Sequence, residues 1–407
     1  MSNILDYLVW RGDLPFSKNR INEVDKLILM RLSYMPFDEI ELINSDKLTI
    51  EELMVKLSNV SVDKYIWPDD KKLIVLLGTS VRFKDLIVSD YIEIIDKSLE
   101  KQFAAIVISF PDNKDKIISY RGTDMSLTGW KEDFNMFFKN NVPSQIEGIN
   151  YLNNISNRYL DSTLSLIGHS KGGNIAIYAS IYCNDLVKYK IKEIVTADAP
   201  GLTEEVINDE KYNDIKNKIK AFIPQTSIVG RLLETRNDYI IVQSNGKGFM
   251  QHDIYSWEIG PTFLIQIKDA SKESDFANNV IKKYFSQTSP ADREKFINIV
   301  YEILNSLDIE SVTDIPKVLL KNTNKVLKKY KNISEEDKKQ LENMMNSFKD
   351  VVLDNIKLEI SKSNKPKEKE TKKLKKEKEI KKSKDVKKLP KKEEKSKNEK
   401  NKLFKKL

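Results

Sequence analysis

Cysteine, histidine and long apolar runs are all scarce in this chain of 407 residues. The single cysteine, Cys183, excludes an intramolecular disulfide framework, and its apolar neighbours favour a small buried side chain over a reactive thiol. No apolar run approaches the roughly 20 residues that a membrane-spanning helix needs. The N-terminus has an early Asp6 and no basic start before a long apolar run, which argues against a secretory signal. These absences predict a soluble, cytoplasmic protein.

Positive charge is concentrated at the C-terminal end. Residues 361–407 contain 22 lysines and 8 acidic residues, whereas residues 1–360 contain 47 basic and 53 acidic ones. The lysine-rich segment has too few apolar side chains to stabilise a fold, so a disordered tail is predicted there. Charge alone would let this tail contact an anionic membrane or nucleic acid, although the interspersed acidic residues weaken both interactions.

Hydrophobic periodicity predicts an α/β fold for the first part of the chain. Residues 1–100 have mainly helical patterns. Six apolar runs of strand length follow, separated by helical or loop segments, at 104–110, 116–120, 163–168, 191–197, 220–224 and 239–243. Strands that alternate with helices predict a mostly parallel sheet that is covered by helices on both faces.

Amphipathic patterns predict further helices beyond the strand-rich region. One covers residues 143–160, and two others lie within residues 271–357, where Pro290 and Ser334 mark helix starts. We therefore expect three parts. An α/β domain with a helical N-terminal portion covers 1–265, a helical region covers 266–360, and the tail covers 361–407.

The stretch LSLIGHSKGGNIAIYAS places a serine between an apolar run and a helical pattern. A nucleophilic serine on a strand-to-helix turn needs glycine on both sides, because the sharp turn leaves no room for larger side chains. Gly168 and Gly172 meet that need on either side of Ser170. Ser170 is therefore the candidate nucleophile, and a purely structural Gly-Ser bend is the alternative.

A serine nucleophile needs a base within hydrogen-bonding distance, and histidine is the usual one. The chain contains two histidines, His169 and His252. His169 lies on the same turn as Ser170, so we do not expect its side chain to reach the serine oxygen. His252 is therefore the candidate base, and its position downstream of the serine suits the chain order of an α/β-hydrolase.

The stretch SYRGTDMSLTGWKEDF follows a predicted strand directly. A turn there could donate a backbone N–H and the Thr123 hydroxyl to an oxyanion, with the N–H of Lys171 as the other donor. Alternatively, Arg121 and Asp133 form a structural pair that fixes this loop.

Together these segments resemble the class 3, or fungal-type, lipases among the α/β-hydrolases, which combine an aromatic-Arg-Gly-Thr/Ser turn with Gly-His-Ser-x-Gly-Gly. The chain is more closely similar to the Mbeg1-like group of that branch over residues 1–265, through RGTDMSLTGWKEDF, GHSKGGNIAIYA, IPQTSIVGRLLE and GFMQHDIYSW. The resemblance implies that Ser170 is the nucleophile, His252 the base, Thr123 the oxyanion-hole residue and Lys171 the backbone donor after the nucleophile.

The acid is where the sequence departs from the family pattern. In typical class 3 lipases an aspartate follows the strand after the one that bears TADAP, but here residues 225–227 follow that strand without a carboxylate. Asp198 is the best substitute by topology, because catalytic groups gather at the carboxyl ends of such strands. Glu234 and a neutral Ser227 are alternatives, and Asp198 could also be an ordinary turn residue.

These residues predict a serine hydrolase that cleaves a carboxylic ester of a small molecule or a lipid. The reaction would pass through an acyl-enzyme and use no metal or organic cofactor. The competing prediction is a noncatalytic hydrolase-fold scaffold with a degraded triad, whose helical region and tail mediate interactions. Nothing in the sequence indicates the oligomeric state.

Overall fold

Eight strands form one mixed sheet in the residues that the computed structural model describes, which are 2–111, 114–234, 239–305 and 330–363. The strands lie side by side in chain order: β1 Lys47–Thr49, β2 Ile87–Asp96, β3 Lys101–Ser109, β4 Lys116–Tyr120, β5 Leu164–His169, β6 Ile191–Ala197, β7 Ile219–Pro224 and β8 Ile240–Val242. Strands β1 to β4 pair antiparallel, and β4 to β8 pair parallel. The carboxyl ends of β4 to β8 therefore lie at one edge of the sheet.

Twelve α-helices whose bounds lie in the described residues accompany the sheet. They are α1 Ile4–Arg11, α2 Glu23–Leu32, α3 Ile50–Leu57, α4 Asp69–Thr79, α5 Leu127–Asn135, α6 Pro143–Arg158, α7 Lys171–Tyr182, α8 Asp185–Lys190, α9 Glu204–Asn208, α10 Lys272–Gln287, α11 Pro290–Asn305 and α12 Glu335–Ser363. The predicted helix over 143–160 is confirmed as α6. The predicted helix starts at Pro290 and Ser334 are confirmed too, because Pro290 opens α11 and the Ser334 hydroxyl accepts a hydrogen bond from the N–H of Asp337 in the first turn of α12.

Helices cover both faces of the sheet, as the α/β pattern predicts. On β3 the side chains alternate between two apolar clusters. Ile106 and Ile108 belong to the cluster that includes side chains of α1 to α4, and Ala105 and Val107 belong to the cluster that includes side chains of α6 and α7. The predicted α/β sheet with flanking helices is confirmed, and all six predicted strands are present.

Strands β1 and β2 were not expected, so the prediction of a mainly helical segment over 1–100 is wrong for residues 87–96. The pairing of β2 with β3 shifts register between Ser89 and Ile92, and Asp90 has a positive φ of 55°. This irregularity breaks the two-residue alternation by which a strand is recognised in sequence.

The chain divides into two compact units, one that ends at Val352 and one that begins at Leu353. Of the second unit, the end of α12 is described. The predicted disordered tail lies, from residue 364 onward, outside the described residues. Within the described ranges, no helix combines the length and the apolar character that crossing a membrane requires.

A buried ion pair fastens the N-terminal helices to one another. The guanidinium of Arg31 in α2 donates two hydrogen bonds to Asp70 in α4, at 3.1 Å from Nε and 2.5 Å from Nη2, and both side chains are at most 1 % exposed. Asp70 also accepts a hydrogen bond of 2.7 Å from the Tyr255 hydroxyl. The pair thereby connects these helices to the segment that follows β8.

We expect Arg31→Met to lower the free energy of unfolding by about 3–5 kcal/mol, because it leaves the Asp70 carboxylate buried without its cation. Urea denaturation would measure the loss. The control is Lys72→Met, which breaks the exposed pair with Asp69 in the same helix and should cost about 1 kcal/mol or less. Equal losses in the two variants would contradict this assignment.

Candidate active site

The turn between β5 and α7 holds Ser170 in a strained conformation. Ser170 has φ 58° and ψ −135°, a region that residues with a side chain rarely adopt. A Cβ at Gly172 would lie 2.1 Å from the carbonyl oxygen of Tyr120, and one at Gly168 would lie 2.3 Å from the carbonyl carbon of Gly172. Main-chain atoms therefore approach Gly168 and Gly172 too closely for any side chain, which is the reason that the sequence predicts glycine on both sides of the serine.

Ser170, His252 and Asp198 form one line of hydrogen bonds. The Oγ of Ser170 lies 3.0 Å from Nε2 of His252, and Nδ1 of His252 lies 2.7 Å from Oδ2 of Asp198. A carboxylate can only accept, so Nδ1 carries the hydrogen and Nε2 presents its lone pair to the serine hydroxyl. The three side chains come from the ends of β5 and β6 and from the short 3-10 helix Gly248–His252.

Asp198 is held by two further donors. It lies directly after β6, is 1 % exposed and has φ 43°. Its Oδ1 accepts hydrogen bonds from the Ser227 hydroxyl and from the N–H of Gly230, the latter at 3.0 Å. Ser227, considered above as a neutral partner of His252, thus contacts the carboxylate. Glu234 instead lies 3.6 Å from Nζ of Lys282.

Helix α10 supports the loop that holds this carboxylate. The N–H of Ser271 donates to the carbonyl of Gln225 at 2.7 Å, and the hydroxyl of Ser274, which is fully buried, donates to the carbonyl of Ser227 at 2.6 Å. Arg231 donates to the Ser274 hydroxyl at 3.0 Å. The start of α10 therefore contacts the loop at Gln225, Ser227 and Arg231. These residues include or flank the two groups that donate hydrogen bonds to Asp198.

The loop after β4 lies directly against the turn that bears Ser170. A Cβ at Gly122 would lie 2.6 Å from the carbonyl oxygen of His169 and 3.1 Å from Cβ of Ser170. The Thr123 hydroxyl donates to both oxygens of Asp133, at 2.7 and 2.6 Å. In the described part of the chain, the backbone N–H groups of Thr123 and Lys171 donate to no other group, so both are available to an oxyanion.

The alternative pairing of Arg121 with Asp133 is wrong. Arg121 is buried and pairs with Glu93, and its Nη2 lies 3.8 Å from Asp124. Asp133 points instead toward Thr123 and Lys171. The error arose because a sequence does not reveal that β2, which carries Glu93, lies near this loop with only β3 between it and β4.

The side chain of Lys171 was missed by sequence reasoning, which used only its backbone. Its ammonium group is buried and donates to the carbonyl and side-chain oxygens of Gln102, at 3.0 and 2.6 Å, and to Glu132 at 2.9 Å. It also lies 3.7 Å from Asp133. A charged residue beside Ser170, together with the adjacent carboxylates Glu132 and Asp133 in the stretch SYRGTDMSLTGWKEDF, is the signal that could have indicated this cluster.

Burial raises the pKa of Asp133 to about 6, against the opposing effects of the Lys171 cation and the Thr123 hydroxyl. The neighbouring carboxylates Glu132 and Asp124 also raise it. Asp133 is 28 % exposed, and a pKa of about 6 leaves it mostly ionised at pH 7 and half protonated about one pH unit lower. The group that holds the Thr123 hydroxyl therefore titrates within the ordinary working range of proteins.

The surface beside His252 is apolar and open. Phe249 and Met250 are each 53 % exposed, and the Phe249 ring lies 5.6 Å from the His252 ring. A shallow crevice is lined by Asp198 and His252 together with Ile228, Val229 and Phe249. Among the described residues, no cluster of His, Cys, Asp or Glu has the composition of a metal site. The arrangement can generate a nucleophilic oxygen and stabilise a negative charge next to it.

A model of the Mbeg1-like family matches residues 77–302, which is more than half of the chain. The match begins at residue 77, within the resemblance stated over 1–265, and it extends beyond that resemblance through α10 and into α11. No curated protein matches the sequence.

Several solved lipases are similar in structure to part of this chain. The propeptide complex of the Rhizomucor miehei lipase is 14 % identical, with a TM-score of 0.35 over 66 % of this chain and 78 % of that one. A fungal lipase–inhibitor complex is 13 % identical, with a TM-score of 0.32 over 55 % and 80 %. The lipase of Rhizopus microsporus var. chinensis is 15 % identical, with a TM-score of 0.30 over 62 % and 90 %.

The raised pKa of Asp133 predicts a pH-dependent stability. Between pH about 4 and 6 the unfolded chain releases this proton and the folded chain retains it, so the contribution of Asp133 to stability is lost as the pH rises. We expect Asp133→Asn to become more stable relative to the wild type across that window, by about 3 kcal/mol at most. Urea denaturation of both proteins at several pH values would measure this. A difference that does not change with pH would contradict the raised pKa.

Proposed function

The chain belongs to the Mbeg1-like family, and from that membership and the geometry around Ser170 we propose that it is a serine hydrolase that cleaves carboxylic esters. The observation that carries the proposal is the line of hydrogen bonds from Asp198 through His252 to the Ser170 hydroxyl. It supplies a nucleophile, a base and a group that orients the base, in the order that acyl transfer requires.

Each group has one role in the proposed reaction. His252 Nε2 accepts the hydroxyl proton as Ser170 Oγ attacks the ester carbonyl, and the Asp198 carboxylate stabilises the imidazolium that forms. The N–H groups of Thr123 and Lys171 donate to the oxyanion of the tetrahedral intermediate. His252 then returns the proton to the leaving alcohol, and a water molecule, activated in the same way, hydrolyses the acyl-enzyme.

The backbone of the nucleophile turn favours this reaction over a passive role. Ser170 and Asp198 both have positive φ, a conformation that costs energy for any residue other than glycine and that concentrates at functional sites. The exposed Phe249 and Met250 beside His252 favour an ester with an apolar acyl group, of a small molecule or a lipid.

The cytoplasmic location and the contacts of the lysine-rich tail with anionic membranes or nucleic acid stay predictions from the sequence. The reaction proposed for Ser170, His252 and Asp198 requires neither of them.

Covalent labelling tests the nucleophile. We expect a fluorophosphonate probe to label the wild type and not Ser170→Ala, because the probe requires an activated serine oxygen. Gel fluorescence and peptide mass spectrometry would identify the labelled residue. Ser180→Ala is the matched control, since its hydroxyl is buried on α7 and donates to the carbonyl of Ala176. Absence of Ser170-dependent labelling in folded protein would favour the scaffold.

Hydrolysis of a series of p-nitrophenyl esters tests the acid. We expect Asp198→Asn to lower kcat by about 10³–10⁴-fold, because the amide no longer fixes the His252 tautomer or stabilises its charge. Glu234→Gln, which changes the other candidate carboxylate, should keep kcat within about twofold, as expected for an exposed residue away from the reacting atoms. Similar losses in both variants would contradict the assignment of Asp198.

A further inference from the structure

His169 has a defined place in the structure although it does not contact the serine oxygen. It is 4 % exposed, and its Nε2 lies 2.8 Å from the main-chain carbonyl oxygen of His252. A carbonyl can only accept, so Nε2 carries the hydrogen and donates it. The two imidazole rings lie 4.5 Å apart between centroids and are tilted by 35°. The turn that carries Ser170 thus holds the main chain of the residue that serves as its base.

Tyr34 completes the hydrogen bonds of this imidazole. Its hydroxyl lies 3.0 Å from Nδ1 of His169, which has no hydrogen of its own in this tautomer, so the hydroxyl donates. The same oxygen accepts the N–H of Gly122 at 3.0 Å. Gly122 immediately precedes Thr123 in the loop after β4. One buried hydroxyl therefore connects the nucleophile turn to the loop that supplies an oxyanion donor.

Tyr34 is itself fixed by the N-terminal helices. Tyr34 is 3 % exposed, and the Arg31 guanidinium lies 4.3 Å from the centroid of the Tyr34 ring. Arg31 is held by Asp70, which also accepts from Tyr255, three residues after His252. Tyr34 is therefore buried, and Arg31 and Asp70 connect it both to α4 and to the segment that follows His252.

We propose that Tyr34 and His169 are positioning residues. Tyr34 holds the loop after β4 through the N–H of Gly122, and His169 holds the segment that ends at His252 through the carbonyl of His252. Both segments are thereby held against the turn that bears Ser170. This inference rests on the proposed function, because it concerns the geometry of the same reaction.

Positioning of this kind matters because the base lies at the end of a short segment whose tip is exposed, although Gln251 just before it is buried and hydrogen-bonded. His252 ends a short 3-10 helix that begins at Gly248, a glycine with φ +53° and no atoms near its Cβ direction, and it follows the half-exposed Phe249 and Met250. A displacement of a catalytic group by about 1 Å can cost about 100-fold in rate. The hydrogen bond from His169 fixes the main chain of His252 at the point where its side chain departs.

The uncharged state of His169 suits this role. Burial lowers its pKa well below the usual value, and the nearby His252 and Arg31 lower it further. The groups that face His169 are Tyr34, His252 and Arg31, none of them a carboxylate. A neutral ring keeps Nδ1 free to accept from Tyr34, and it places no second positive charge beside His252 when that residue takes the serine proton.

The test compares rates of fluorophosphonate labelling of Ser170 in the full chain. We expect Tyr34→Phe and His169→Ala to lower the second-order rate constant roughly tenfold or more, as expected when an oriented hydrogen bond that places reacting groups is lost. His169→Gln retains an N–H donor near Nε2 and should recover part of the loss. The matched control is Tyr151→Phe, which removes an equally buried hydroxyl that donates to the carbonyl of Asp90 and should label at the wild-type rate.

A pH profile separates positioning from general destabilisation. In His169→Gln the acid limb of the labelling profile should stay at its wild-type pH, because one uncharged side chain replaces another. A clear upward shift of that limb would mean that His169 had carried charge, and would overturn the proposal. So would wild-type labelling rates in Tyr34→Phe and His169→Ala. Failure of the wild type itself to label Ser170 would instead refute the proposed function.

Discussion

The left-handed backbone of Ser170 is the constraint on which the rest of the site depends. It requires glycine at positions 168 and 172, where the main chain of β5, α7 and the loop after β4 approaches too closely for a side chain. It persists because the sheet and helix fix the residues on either side of Ser170. This conformation directs Oγ out at the carboxyl edge of the sheet. It also sends the next side chain, that of Lys171, into the protein interior, so one turn determines both the exposed and the buried half of the arrangement.

The buried half carries charge, and that charge links the turn to the loop after β4. Lys171 pairs with Glu132, whose oxygens also accept the N–H groups of Gln102 and Ser144, so no charge in the pair is left without partners. Asp133, the next residue, accepts the hydroxyl of Thr123. Lys171, the residue after Ser170, is thus linked through α5 to the loop that carries Thr123.

Local sequence patterns were enough to predict the parallel part of the sheet and the turn at Ser170, and the scarcity of histidine was enough to expect His252 beside that serine, because each depends on residues that are close in the chain or few in number. Asp198 needed topology, since only the order of strands places it beside His252. Tyr34 and the Lys171 side chain could not be predicted: their partners lie on distant segments, and a tyrosine in a helical stretch or a lysine after a serine has no distinctive local pattern. The irregular β2 was missed because its bulge disrupts the alternation that identifies strands.

The contact of α10 with the loop around Ser227 has a consequence for the order in which the chain is made. Ser170 and His252 both leave the ribosome before Ser274, whose hydroxyl holds the main chain of that loop. Domains fold as units during synthesis, and long-range contacts form only once both partners exist. A nascent chain therefore contains the turn at Ser170 about a hundred residues before the loop around Ser227 has its last supporting contact, so the two parts of the site are completed at different stages of synthesis.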